Sequence, residues 1–178
     1  VAINSEAVRR PEFIRECVKY FGSSTIVLSI NYKAWPNDNF KKNKHLTVGS
    51  SNKKNPTTWK NNFQVYIDNA REQTGIDVFD WAQRGEELGV GEILLTSIDK
   101  EGAQKGFETE LSSRLSKNLT IPFIMCGGMG KLSDLKEIYE KTKCNGISIA
   151  SVLHYEKFTI KQIKDYLTSE NINIIHHE

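Results

Sequence analysis

The stretch Gly91-Glu-Ile-Leu-Leu-Thr-Ser-Ile-Asp-Lys-Glu-Gly102 decides the fold class of this chain. Its apolar run, residues 93–95, is of the kind that a parallel strand covered on both faces requires. Polar residues follow at the C-terminal end of the run, namely Thr96, Ser97 and Asp99. In α/β folds the functional groups lie at the C-terminal ends of the strands. The stretch therefore predicts a buried strand that delivers site residues onto a glycine-containing loop.

The same succession of strand and helix extends in both directions from this stretch. The predicted strands are residues 1–5, 25–30, 91–95, 121–126 and 146–150. The predicted helices are residues 11–21, 77–88, 107–115, 132–139, 152–155 and 159–167. Strict alternation of five strands with helices predicts an all-parallel sheet, either open and doubly wound or part of a barrel. Residues 1–5 read as the end of a strand whose beginning is missing, so we expect a truncated chain.

Residues 35–62 interrupt this alternation. The segment lacks hydrophobic periodicity and is rich in Asn, Lys, Ser and Pro, which predicts a long polar loop or insertion. Its lysines favour a solvated loop over a nucleic-acid patch, because Asn, Thr and Ser outnumber aromatic residues there. Residues 63–67 alternate as one arm of a hairpin would, with residues 45–48 as a possible partner.

The composition excludes several classes of function. The chain has 178 residues and a formal net charge of +2, which gives no global electrostatic reason to bind nucleic acid or an anionic membrane. Its three cysteines, Cys17, Cys126 and Cys144, are too far apart in sequence to indicate a zinc site or a disulfide framework. No run of about 18 apolar residues could span a bilayer. We expect one cytoplasmic domain with no metal, cofactor, membrane or nucleic-acid partner.

A glycine-rich turn, Cys126-Gly-Gly-Met-Gly130, directly follows a predicted strand. Glycines there let backbone N–H groups approach an anion, although a tight strand-to-helix turn explains them equally well. The last predicted strand ends at Ala150 and Ser151, just before a short helix. Barrels commonly hold a phosphate between the loops after their last two strands and the N-terminus of a short extra helix. The two features together favour a phosphate site over a plain turn.

Three long stretches resemble the cyclase subunit of imidazole glycerol phosphate synthase: GEILLTSIDKEGAQKGFETEL, IPFIMCGGMGKLSDL and IASVLHYEKFTIKQIKDYL. Upstream, VAINSEAVRRPEFIRECVKYFGSSTIVLSINYK is similar to the fourth strand of that family through the end of its fifth. The resemblance implies an α/β fold that is the C-terminal portion, about strands 4–8, of a (βα)8 TIM barrel. Residues 1–178 would form this partial barrel domain, with the polar insertion at about 35–62 longer than the family usually has.

The resemblance also implies an activity. In that family, ammonia from a glutaminase subunit crosses the barrel and attacks a bisphosphorylated ribulosyl-formimino carboxamide nucleotide. Cyclisation and elimination then give imidazole glycerol phosphate and aminoimidazole carboxamide ribonucleotide in histidine biosynthesis. The implied partners are a glutaminase subunit and a phosphorylated small-molecule substrate. The full-length protein would be a lyase of this type, and we expect this chain alone to be inactive.

Site residues are assigned by the same resemblance. Asn4 and Ser5 align with one phosphate site of the family, and the other site aligns with Glu101, Gly102, Gly128, Ala150 and Ser151. Lys33 matches a family residue, and Thr96 is expected at the barrel mouth. Glu92 begins the same strand at the opposite face, where charged residues of the family form the ammonia entrance. A solvated strand start explains Glu92 almost as well.

Proton transfer is where the chain departs from the family. The family assigns it to two aspartates, at the ends of strands one and five. Strand one is not in this chain, and the strand-five position holds Asn31. An amide can hydrogen-bond a substrate but cannot shuttle a proton near neutral pH, and a polar strand end explains Asn31 equally well. The catalytic candidates are Asn31, Asp99 and Glu101, which stands where the family has an aspartate.

Three functions remain open from the sequence. The first is the ammonia-dependent cyclase subunit. The second is a divergent paralogue that delivers ammonia for amidine formation on a surface-polysaccharide sugar, and the third is a non-catalytic scaffold that binds phosphate or a partner. Whatever the function, five strands of a barrel leave two unpaired edges and an uncovered interior. We therefore expect the missing N-terminal half of the barrel, or a second copy of the chain, as a further partner.

Overall fold

A computed structural model describes residues 1–34 and 63–175 of the chain. Its strands are Ala2–Ile3 (β1), Val27–Ala34 (β2), Phe63–Ile67 (β3), Glu72–Asp77 (β4), Glu92–Ser97 (β5), Phe123–Cys126 (β6) and Gly146–Ser148 (β7). Its α-helices are Ser5–Arg9 (α1), Glu12–Phe21 (α2), Val78–Leu88 (α3), Glu110–Leu115 (α4), Ser133–Thr142 (α5), Ser151–His154 (α6) and Ile160–Ser169 (α7). Within the described ranges, no helix is long and apolar enough to cross a membrane.

One sheet contains all seven strands. Its order is β4-β3-β2-β5-β6-β7, and β1 pairs with β2 off this path. β5 runs along one edge of β2, while β1 pairs with the first residues of the other edge and β3 with the last. The pairs β1-β2, β2-β5, β5-β6 and β6-β7 are parallel. The α/β prediction and its five strands are therefore confirmed, within a mostly parallel sheet consistent with the TIM-barrel family.

The prediction of an all-parallel sheet was wrong. β3 is antiparallel to both β2 and β4. Its pairing with β4 has to be antiparallel, because the two strands are joined by a tight turn that reverses the chain. Three consecutive residues of that turn, Asp68, Asn69 and Ala70, have φ values of 51°, 55° and 65°. The hairpin arm predicted at residues 63–67 is confirmed with β4 as a partner. The predicted partner at 45–48, like the insertion at 35–62, lies outside the described residues.

Local signals place α3 between β4 and β5. The Asp77 side chain caps the helix, because its Oδ1 accepts hydrogen bonds from the backbone N–H groups of Phe79 at 2.8 Å and Asp80 at 3.2 Å. Gly89 ends the helix in the left-handed conformation, with φ of 96°. β5 then begins only a few residues later. These caps fix the start of the strand that carries the predicted site.

The two faces of the sheet have different environments. In β2 the side chains of Leu28, Ile30 and Tyr32 are fully buried. This face packs on helix α3. Gly85 of α3 lies so close to Leu28 that a Cβ added to the glycine would be only 2.3 Å from Leu28 Cδ2. The alternate residues of β2 and β5 are only half-buried. They lie on the opposite face, which we call the open face, and the polar strand-end residues of the predicted site belong to it.

Candidate active site

A row of four polar side chains crosses the open face near the C-terminal ends of the parallel strands. The strand register pairs Asn31 with Thr96, Thr96 with Cys126, and Cys126 with Ser148. Residues paired in register across parallel strands present their side chains to the same face, and neighbouring strands lie about 4.8 Å apart. These four residues, the polar row, therefore span about 14 Å on one level of the sheet. All four are half-buried.

Two members of the polar row were missed by sequence reasoning. Asn31 and Thr96 were predicted site residues, whereas Cys126 and Ser148 were read only as parts of a strand and of a glycine turn. The period-2 alternation of β6 does place Cys126 opposite the buried Met125. That signal becomes informative only when the register between strands is known.

Glu101 stands beside the middle of the polar row. Its Oε2 accepts a hydrogen bond from the Cys126 thiol at an S···O distance of 3.8 Å. Burial raises the pKa of the Cys126 thiol, and the nearby Glu101 carboxylate raises it further. The thiol is therefore protonated near neutral pH and acts as a donor. The loop that carries Glu101 is fixed by its own backbone N–H, which donates to Ser97 O at 2.9 Å.

The glycine turn after β6 packs directly on the loop after β5. Gly128 has φ of 124°, and a Cβ there would lie 2.3 Å from Gly106 O. The Gly106 N–H donates to Gly128 O at 2.9 Å, which joins the two loops. Gly128 therefore has a structural reason to be glycine as well as the predicted role in phosphate binding.

Both loops line a small recess at the end of β6 and β7. It brings together four of the five residues predicted for one phosphate site, namely Glu101, Gly128, Ala150 and Ser151. Gly102 follows Glu101 in the exposed loop but does not line the recess. Cys126 and Ser148 of the polar row also line it. The space available to the centre of a water molecule is about 10 Å³, enough for about one water.

The residues predicted for the other phosphate site lie at the opposite end of the polar row. Asn4 Nδ2 donates to Ser29 O of β2 at 2.7 Å, so Asn4 adjoins the edge of that strand. Ser5 Oγ donates to Asn4 Oδ1 at 3.2 Å and accepts from the Asp68 N–H at 3.0 Å. An ion pair between Arg9 and Asp68 also ties α1 to the β3–β4 turn. The two groups of predicted phosphate residues are therefore on opposite sides of the row.

The remaining predicted residues lie in two places. Lys33 and Asp99 are near the C-terminal ends of the parallel strands, and Glu92 is at the other end of the sheet. Lys33 Nζ lies 5.1 Å from the centroid of the Tyr66 ring, a cation–π distance. Asp99 Oδ2 accepts a hydrogen bond from the Ala34 N–H at 2.8 Å and so joins the loop after β5 to the end of β2. Glu92 pairs in register with Val27 at the other end of the sheet. Thr96 is four residue steps further along the strand, a distance of about 13 Å.

Comparisons with known proteins agree with the predicted resemblance. A family model described as "Histidine biosynthesis protein" matches residues 1–159. The chain is 38% identical over 174 residues to the imidazole glycerol phosphate synthase subunit HisF of Prochlorococcus marinus, covering 98% of this chain and 60% of that protein. The HisF subunit of Methanocaldococcus jannaschii is 38% identical over 175 residues, covering 97% and 62%. That of Clostridium botulinum strain Okra is 35% identical over 174 residues, covering 98% and 60%.

These relatives are longer than the chain. The chain spans about three fifths of the curated relatives it matches. The identity extends over nearly all of this chain, so the resemblance predicted from the sequence motifs is confirmed. Since the family model covers residues 1–159 of 178, the chain belongs to the histidine biosynthesis protein family.

Proposed function

We propose that the chain is the C-terminal part of the cyclase subunit of an imidazole glycerol phosphate synthase. The whole protein would use glutaminase-derived ammonia to form imidazole glycerol phosphate and aminoimidazole carboxamide ribonucleotide in histidine biosynthesis. One observation carries the proposal: the register assembles the polar row and the adjoining recess in a chain whose reported relatives are named HisF. The chain without the rest of its barrel would be inactive.

The strand order supports this assignment to strands four to eight of a (βα)8 barrel. The parallel strands β1, β2, β5, β6 and β7 are adjacent in chain order once the β3–β4 hairpin is set aside. On this proposal the open face is the barrel interior, and residues 1–178 form one partial barrel domain with an insertion at about 35–62. The half-burial of alternate residues in β2 and β5 is what an interior face lacking its other strands would give.

Two phosphate groups of the substrate would be held on opposite sides of the polar row. Asn4 and Ser5 would hold one, and the other would be held by the Glu101–Gly102 loop, Gly128, Ala150 and Ser151. The row spans about 14 Å between them, which suits an extended bisphosphorylated nucleotide better than a small ion. Because the recess now has room for about one water, it has to widen when a phosphate binds. Lys33 and Thr96 would contact the substrate between the two sites.

Ammonia would enter from the end of the sheet where Glu92 lies. A glutaminase subunit would dock at that end, about 13 Å from the polar row along β5. Asn31 occupies the position of the family's strand-five aspartate and would bind substrate rather than transfer protons. Asp99 would support the mouth of the barrel by accepting a hydrogen bond from the Ala34 N–H. A cytoplasmic location fits the histidine-biosynthesis pathway.

An in vitro assay tests the proposal. The complete gene product, supplied with ammonium salts and the bisphosphorylated nucleotide, should release imidazole glycerol phosphate. Turnover of an amino-sugar acceptor in place of the nucleotide would instead identify the amidine-forming paralogue. Binding of the nucleotide without any turnover would identify the scaffold. The names of the reported relatives favour the first outcome.

A further inference from the structure

The polar row contains no group that readily exchanges protons near neutral pH. Asn31 is an amide, and Thr96 and Ser148 are hydroxyls with no acidic proton in that range. Cys126 is held protonated, since burial foremost and then Glu101 raise the pKa of its thiol. A reaction that needs proton transfer at this level of the sheet therefore requires an acid–base group from outside the row, and a carboxylate of this chain that contacts the row could supply it.

Four of the described carboxylates are candidates for proton transfer at the polar row. Three of them are either engaged in a hydrogen bond elsewhere or too far from the row. Asp99 accepts the Ala34 N–H at 2.8 Å, and Glu108 accepts the Glu110 N–H at 2.8 Å at the start of α4. Glu92 is about 13 Å from Thr96 along β5. Glu101 alone among these four contacts a side chain of the row, with its Oε2 3.8 Å from Cys126 Sγ.

We propose that Glu101 is the proton-transfer group of this site and that Cys126 is its positioning residue. The thiol donates to Glu101 Oε2 and holds the carboxylate at the middle of the row, about 10 Å from Asn31 across two strand spacings. A planar substrate group lying along the row would then have the Asn31 amide on one side and the carboxylate on the other. This inference rests on the proposed cyclase function and assigns a role within it.

In this role Glu101 takes up one proton and later returns it, so the step needs no other proton donor or acceptor. As ammonia forms its new bond to the formimino carbon of the substrate, its nitrogen carries an excess proton. Ring closure on the ribulosyl carbonyl is a separate step that releases the carbonyl oxygen as water. The Glu101 carboxylate takes that proton, breaking an N–H bond and forming an O–H bond. It returns the proton to the nitrogen of the departing carboxamide nucleotide as the C–N bond to that nucleotide breaks. Glu101 is ionised again at the end, and no oxidant or reductant is needed.

The contact between Cys126 and Glu101 is tested first, by a measurement that does not depend on enzymatic activity. In a Cys17→Ser, Cys144→Ser background, alkylation at pH 8 follows Cys126 alone. Among the described residues, Glu101 is the titratable group that faces this thiol, and the phenol of Tyr32, on the other face of β2, is close enough to interact with it electrostatically. Glu101→Gln should raise the alkylation rate about threefold, because removing a charge at about 4 Å lowers the pKa of the thiol. Glu110→Gln, the same change on an exposed residue of α4, should leave the rate unchanged, and an equal rate in both variants would overturn the contact.

The role is tested with the complete gene product and ammonium salts. Glu101→Gln should lower kcat at least about 100-fold and change KM less than about threefold. Cys126→Ala should lower kcat about tenfold, and Cys126→Ser should recover most of it because a hydroxyl can also donate. Cys144→Ala is the matched control for loss of a thiol elsewhere.

Each result of that assay decides something. A wild-type protein that makes no imidazole glycerol phosphate defeats the proposed function, and the inference falls with it. A wild-type enzyme that is active while Glu101→Gln retains its kcat overturns the inference alone. So does a Glu101→Gln variant that binds inorganic phosphate more tightly with kcat unchanged, since the carboxylate would then only restrict the recess.

Discussion

At the scale of single residues, the site combines positions that the motifs revealed with positions that only the register reveals. Asn31, Thr96 and Glu101 could be found in the sequence because they follow apolar runs in long family-like stretches. Cys126 and Ser148 could not, because their place beside Thr96 depends on how β5, β6 and β7 align. Hydrogen bonds such as that from Ser5 Oγ to Asn4 Oδ1 are likewise invisible before the chain folds.

Asn31 gives a first test at this scale. In the complete enzyme, Asn31→Asp should leave kcat within about threefold of wild type, because Glu101 is the residue proposed to perform the proton transfer. Asn31→Ala should instead raise KM about fivefold, the effect of one lost hydrogen bond of about 1 kcal/mol. Steady-state kinetics with ammonium salts measures both. A large rise of kcat in Asn31→Asp would show that the strand-five position still limits the chemistry.

Gly128 gives a second test, of stability. A Cβ on Gly128 would meet Gly106 O at 2.3 Å, whereas one on Gly102 meets nothing within 4 Å. Both glycines have positive φ, 124° and 69°, so both alanine variants carry backbone strain. Gly128→Ala should therefore cost at least about 1 kcal/mol more than Gly102→Ala in the free energy of unfolding. Urea unfolding followed by circular dichroism compares them, and equal midpoints would mean that the two loops are not packed as described.

At the scale of elements, strands with apolar runs were predicted and a polar strand was not. β5 and β6 were evident from their sequences, but in β4 three of the six residues are exposed and only Thr74 and Asp77 are buried. It becomes a strand because its backbone pairs with β3, which is a tertiary effect that outweighs weak local propensity. The short helix α1 was not predicted either. Helices with a clear apolar face, such as α2 and α5, were predicted from their periodicity.

Glu86 connects α3 to the segment before β6. Its Oε1 accepts hydrogen bonds from the Thr120 N–H at 2.7 Å, the Thr120 hydroxyl at 2.6 Å and the Ile121 N–H at 3.1 Å. Burial alone would raise the pKa of Glu86, but these hydrogen bonds outweigh it and lower the pKa below its ordinary value. The ionised carboxylate therefore stabilises the folded chain above its unfolded pKa, and this stabilisation is lost as pH falls through the folded pKa.

A charge-removing variant checks this linkage. At pH 7, Glu86→Gln should lower the free energy of unfolding by about 1 kcal/mol, and the difference from wild type should shrink as pH falls below about 4. Glu87→Gln, whose carboxylate forms only an exposed pair with Arg84 at 2.9 Å, should change it by less than about 0.5 kcal/mol. Urea unfolding from pH 3 to pH 8 gives both curves. A difference that persists undiminished at pH 3 would contradict the role of the ionised group.

At the scale of the whole molecule, the sheet has free edges and an uncovered face. Among the described residues, β1, β4 and β7 each have only one strand neighbour, and the open-face residues of β2 and β5 are only half-buried. Free strand edges of this kind pair readily with another chain. We therefore expect the 178-residue chain to associate with the N-terminal part of the proposed barrel or with a second copy. Light scattering should give a mass above 20.3 kDa, and a stable soluble monomer of that mass would contradict this expectation.

Complementation of a histidine auxotroph that lacks its cyclase subunit tests the central claim most directly. The complete gene should restore growth without histidine, and the same gene with Glu101→Gln should not, while Glu110→Gln should behave as wild type. Growth of the wild-type transformant would exclude both the amidine-forming paralogue and the scaffold. Failure of a well-expressed wild-type protein to restore growth, even with added ammonium, would contradict the cyclase assignment.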